Sequence, residues 1–260
     1  MNSRIFAMAL LSISVAGVVA AQAEDLHFVM HDYPPLSFAA GGKPTGAMTE
    51  IVEAICAEAG KTCDIKLLPW RRALSEVENG RAQGIFPLIP GLAERHGQFE
   101  EMPPAVQSSL SFVVPATTSW VYDGVESLRG KTVVVFGPSG TSLIAQNLTN
   151  QAADAKIDLA VENEVVLRKL AGGRYPENSV ALCNHDVAVN ALAKEGVTGI
   201  KLAGNAATIF YTIGLSRDGV SAKDKEDLDN ALTRLKLSGT LQKIAAAYGV
   251  QAPLDVVSAR

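Results

Sequence analysis

The sequence is poor in the residues that build metal centres and catalytic dyads, with only 4 histidines and 3 cysteines. His27, His31, His96 and His185 lie far apart and show no ligand spacing. No C-x-x-C pair, Ser-His-Asp order or phosphate-binding loop stands out. Neither a metal nor a cofactor is therefore expected. Basic runs are also missing, and the formal net charge of -4 argues against nucleic acid as a partner. Beyond the N-terminus, no stretch approaches the ~20 apolar residues of a transmembrane helix.

The N-terminus is different. A single Arg4 precedes an uncharged, mostly apolar run from Ile5 to Ala21, which ends in Ala21-Gln22-Ala23, a small-x-small pattern that signal peptidase accepts. Residues 1–23 thus read as a secretory signal, with cleavage after Ala23 leaving Glu24 first. Ser12, Ser14 and Gly17 dilute the run too much for a retained anchor, and no Cys stands near the cleavage site to carry a lipid. Cleavage would take Lys+Arg from 23 to 22 against 27 Asp+Glu, so the charge moves from -4 to -5. What remains is near the size where one core gives way to two.

The periodicity of that remainder is α/β. Strands are predicted at residues 26–30, 65–68, 84–89 and 110–114, with helices at 49–59 and 71–77. A turn is expected at Gly41-Gly42-Lys43-Pro44. A second set of units comes next. It has strands at 132–136, 159–161, 180–183, 200–202 and 212–215, and helices at 141–148, 165–171, 187–194, 223–237 and 240–248. Cys56 falls late in one helix and Cys63 at the start of the next strand. A helix-to-strand disulfide and two buried thiols both fit. Cys183, in the apolar strand Val180–Cys183, reads as a small buried hydrophobe.

Four motifs then occur in order. They are Tyr33-Pro34-Pro35-Leu36, Glu94-Arg95, Leu128-Arg129-Gly130-Lys131 running into Gly140-Thr141-Ser142, and Leu237-Ser238-Gly239-Thr240-Leu241-Gln242-Lys243-Ile244. Through them the chain resembles the family 3 extracytoplasmic solute-binding proteins, the receptors of polar amino acid ABC importers. The resemblance implies a type II periplasmic binding protein fold, with two α/β lobes joined by two crossing strands. Lobe 1 would comprise residues 24–109 and 206–260, and lobe 2 residues 110–205. It also implies a monomer in the periplasm that takes a small-molecule ligand into the cleft and passes it to an ABC permease or another membrane-associated partner.

The resemblance implies site residues too. Arg95 matches the arginine that grips a ligand carboxylate with its guanidinium fork. Thr141 and Ser142 open a helix whose unpaired N–H groups suit an anion, although plain N-capping also accounts for them. Tyr33 and Trp70 match aromatic positions that sandwich the ligand. Where family members commonly carry an aspartate for the α-ammonium, this chain has Asn184, which supplies no charge. Pro87, Pro90 and Leu92 replace the usual donors near Arg95, and Asp186 reads as a helix N-cap. With Trp70-Arg71-Arg72 alongside, the site is expected to be richer in positive than negative charge, which favours a small carboxylate-bearing ligand. Two other readings share the fold. One is a periplasmic cyclohexadienyl dehydratase-like enzyme, for which Glu162 and Glu164 are the acids nearest the lobe 2 mouth. The other is a sensory or accessory binding protein serving a membrane receptor or a periplasmic oxidoreductase.

Overall fold

The first described residues form a strand that alternates and then buries completely. The computed structural model describes residues 25–91, 97 and 99–253. The signal reading of residues 1–23 and the roles assigned to Arg95, Glu94 and Leu92 lie outside the described residues. In β1 (Asp25–Met30) Phe28 and Met30 join one core cluster and Val29 another, so successive residues serve opposite faces of the sheet. A hairpin of β2 (Phe38–Ala40) and β3 (Lys43–Thr45) comes next. Its two-residue turn, Gly41-Gly42, has φ of 58° and 77°, a left-handed pair that glycine adopts freely. The expected turn through Pro44 is therefore shorter than the sequence suggests. Pro44 sits in β3, where a separate two-stranded ribbon leaves room for a residue without an N–H.

Helix α1 (Ala47–Glu58) buries Ile51, Val52, Ile55 and Cys56, and β4 (Thr62–Leu67) returns parallel to β1. The structure joins Cys56 to Cys63 by a disulfide with a Cα–Cα distance of 6.1 Å. After α2 (Trp70–Glu78), the fully buried β5 (Gly84–Leu88) lies parallel on the other side of β1. Then come β6 (Phe99–Glu101) and the long β7 (Val106–Pro115).

The second lobe repeats the pattern. β8 (Thr132–Phe136) leads to α3 (Gly140–Thr149), β9 (Lys156–Ala160) to α4 (Asn163–Ala171), and β10 (Ser179–Asn184) to α5 (His185–Ala193). β8 pairs in parallel with both β9 and β10. β9 starts three residues earlier than its apolar residues suggest. It is an edge strand with exposed positions, and its register against Thr132–Phe136 places Val161 beyond the strand end, 71% exposed.

β11 (Ile200–Ser216) then runs 17 residues without a break, where the sequence suggests two short strands. The polar and glycine interval between the apolar pieces is a site of β-bulges. Register shifts against β7 flank Asn205, and further on Thr212, Gly214 and Leu215 pair with β5. α6 (Ala222–Leu237) and α7 (Thr240–Ala247) close the described chain and pack on α1. The strand order is β4-β1-β5-β11-β7-β10-β8-β9, with β6 also on β11. β7 and β11 are thus the two antiparallel strands shared by both lobes, and residues 109/110 and 205/206 fall inside them.

Candidate functional site

Segments at the carboxyl ends of four parallel strands face one another between the lobes. They are residues 31–34 after β1, 67–71 at the end of β4, 136–137 at the end of β8, and 161–164 after β9. Open α/β sheets place ligands at this position, because the loops there sit outside the packed core. The segments enclose a cavity of about 460 Å³, completed by Leu167, Val187, Ala191 and Glu195.

One end of the cavity is aromatic. The His31 ring lies 5.0 Å from Tyr33, 4.7 Å from Trp70 and 6.0 Å from Phe136, measured between centroids, and is stacked on the last. Trp70 Nε1 donates to the Pro138 carbonyl at 2.9 Å, a direct hydrogen bond from lobe 1 to lobe 2. His31 is only 7% exposed, and its Nδ1 has no hydrogen-bond partner among the described residues. Burial lowers its pKa to about 3, so the ring is neutral at ordinary pH.

Among the described residues the wall carries more acidic than basic groups, while Arg95, part of the expected positive set, lies outside them. Asp32, Glu162, Glu164 and Glu195 line the cavity, against Arg71 as the one described Lys or Arg there. The Trp70-Arg71-Arg72 cluster divides. Arg72 lies one helical turn from Glu76, at 3.9 Å, and does not line the cavity. Glu162, just before α4, and Glu164, in its first turn, line the cavity while remaining exposed. Glu164 pairs with Arg168 at 2.5 Å, and Glu195 accepts from Asn190 Nδ2 at 2.8 Å. Asp32 and Glu162 have neither an ion pair nor a hydrogen bond to a described side chain. Burial, then the charges of Glu164 and Glu162, hold the Asp32 carboxyl above the usual range.

Tyr33 and Thr141 come together in a second, narrow space with Pro87, Ile89 and Tyr211, but it offers only about 20 Å³, room for roughly one water. Ser142 is occupied in capping α3. Its N–H donates to Ser139 Oγ at 3.2 Å, and its hydroxyl accepts from Ser139 N at 2.9 Å. Gly140 lies where an added Cβ would stand 2.6 Å from Ile89 Cβ of lobe 1, so a side chain there would collide across the cleft.

Asn184 lines neither cavity. Its Oδ1 caps α5 by accepting from Val187 N at 2.8 Å, while Nδ2 donates to Ser108 Oγ at 2.9 Å and to Tyr211 OH at 3.0 Å. Tyr211 OH in turn lies 3.1 Å from Tyr33 OH. Burial pushes both phenols well above their ordinary range. Asp186, expected to cap α5, instead accepts from Ser108 Oγ at 2.5 Å. One polar chain, Tyr33–Tyr211–Asn184–Ser108–Asp186, thus links the lobes through both shared strands. Cys183 is fully buried, with its thiol pushed up to about 12. Among the described residues, no group of three or more His, Cys, Asp or Glu could hold a metal ion.

His31, Asp32, Phe136 and Glu195 are among the cavity residues that the sequence did not single out. Their signal was positional, since the first three stand at or just after the carboxyl end of a parallel strand.

Comparison with known proteins agrees with this architecture. Residues 27–251 match the bacterial extracellular solute-binding proteins, family 3, and the chain belongs to that family. It is 26% identical over 219 residues to the "Probable amino-acid-binding protein YxeM" of Bacillus subtilis (strain 168), covering 82% of this chain and 79% of that one. Among solved structures it resembles a histidine kinase sensor domain with similarity to periplasmic binding proteins. The TM-score is 0.77 at 21% identity, over 89% of this chain and 99% of that one. It also resembles an ancestral arginine-binding protein bound to arginine, with a TM-score of 0.75 at 20% identity over 86% and 98%. At these identities the structural likenesses speak for the two-lobed type II fold alone.

Proposed function

We propose that this protein is an extracytoplasmic solute receptor that captures a small polar ligand between its lobes and delivers it to an ABC importer. In this reading the signal is cleaved after Ala23, the mature chain is a periplasmic monomer, and the lobes divide near residues 109/110 and 205/206. The observation that carries it is the cavity of about 460 Å³ whose walls come from both lobes, with aromatic and charged groups converging on it. Where the ligand has a carboxylate, Arg71 is the described cation placed to meet it.

Trp70 supplies the test. The chain has 2 tryptophans, and Trp120→Phe leaves Trp70, on the cavity wall, as the sole indole reporter. A ligand at a hundred times its Kd is expected to change Trp70 emission. It should also stabilise the fold by about 2.7 kcal/mol, a melting shift of about 5–10 °C. A broad metabolite screen that moves neither quantity would remove the receptor reading.

A dehydratase-like enzyme of the same fold is the second reading, favoured by one observation. Asp32 is a carboxyl on the cavity wall with a raised pKa, as a general acid requires. Turnover of prephenate would establish it.

A further inference from the structure

On the reading that the interlobe cavity holds the ligand, the charges of its wall describe that ligand. Asp32 stands on lobe 1 after β1, while Glu162 and Glu164 stand on lobe 2 around the start of α4, and all three line the same cavity. Glu164 is paired with Arg168 on its own helix, whereas Asp32 and Glu162 have no described ionic partner. Among the described residues Arg71, itself exposed, is the one Lys or Arg on the wall, so their charges leave a surplus of negative charge. Beyond the effect of burial, Glu164 and Glu162 disfavour the charge of Asp32, so the two lobes present like charges to each other. In a closed cleft such repulsion is relieved by a cation between the walls.

A second observation concerns the aromatic end. Trp70 and Phe136 flank the buried His31, whose Nδ1 has no described protein partner. Aromatic faces attract cations and cover their apolar stems. The carboxylates are too dispersed to hold a metal ion, so their spacing suits an extended molecule.

We propose that the ligand is a small organic cation, an amine or guanidinium on an apolar body. Its charge lies between Asp32 and Glu162, its body lies against Trp70 and Phe136, and it needs no carboxylate of its own. The expected preference runs opposite to that of a receptor for anions, and it makes the acidic wall a determinant of affinity.

Calorimetric titration of the mature protein with agmatine, 1,4-diaminobutane and glutarate tests this. The first two carry cationic groups and no carboxylate, while the third carries carboxylates and no cation. At least one of the cations is expected to bind, more weakly as salt is added, and glutarate to be silent. Asp32→Asn and Glu162→Gln should each weaken that binding about tenfold or more, the scale of one charged hydrogen bond. Both side chains are exposed, so neither variant threatens the fold. Unchanged cation affinity in both variants overturns the proposal. So does binding of glutarate with both cations silent, although a Trp70 response would then keep the receptor reading intact. Silence of all three ligands overturns the proposal, and the broad metabolite screen then decides the receptor reading separately.

Discussion

His31 is a residue whose environment fixes its protonation. Buried among Tyr33, Trp70 and Phe136, it is held neutral down to about 3, against 6.5 in an unfolded chain. The unfolded state therefore binds the extra proton between those values. The stability this represents is complete above pH 6.5 and is lost as pH falls towards 3. Between pH 7 and 4.5 the loss from this one group should be about 2–3 kcal/mol. Urea unfolding at the two pH values is expected to show that much less loss in His31→Phe than in the parent, and equal losses would contradict it. None of this was visible in the sequence, where His31 was one of four scattered histidines. Tyr33 and Trp70, by contrast, were named through the family resemblance, and both line the cavity. Asn184 was legible as a departure from an aspartate, but its role was not. Whether an amide faces a ligand or ties strands together depends on Ser108 and Tyr211, which lie 76 and 27 residues away.

At the scale of elements, α1 and β4 are held at one corner by a disulfide and two ion pairs. The Cys56–Cys63 disulfide closes the turn between them. Arg234 of α6 reaches Glu58 at 2.6 Å, and Lys61 pairs with Asp224. A covalent loop of this length contributes about 2–3 kcal/mol by restricting the unfolded chain. Reduction, or the Cys56→Ser/Cys63→Ser double variant, should lower the melting temperature by about 5–10 °C, and an unchanged melting temperature would remove the bond from the account. The helices were legible because their apolar stripes repeat at about 3.6 residues, as in Ile51, Val52 and Ile55. β11 was not. It serves two cores in succession, so its apolar residues fall in two groups around bulges at Asn205, and no local pattern distinguishes that from two strands.

For the whole molecule, the lobes meet through atoms that leave no slack. Gly140 approaches Ile89 so closely that a methyl group would overlap it, while Trp70 donates across the cleft to Pro138. Overpacking of this kind costs about 1–3 kcal/mol. Gly140→Ala is therefore expected to hold the lobes apart, raising the radius of gyration of the liganded protein in solution scattering and weakening ligand binding about tenfold. Affinity should return in Gly140→Ala/Ile89→Ala. Retention of full affinity in the single variant would show that the contact does not limit closure.

The chain leaves lobe 1 along β7 and comes back beside it along β11, with Leu110 opposite Ala207. Lobe 2 is thus one uninterrupted insertion whose two ends are neighbours. Glu162, Glu164 and Glu195 all lie within that insertion, whereas β1, α1, α6 and the disulfide lie outside it. The lobe 2 side of the acidic wall is in that sense a cassette. Its chemistry can be exchanged while the other half of the molecule keeps its own core and connectivity.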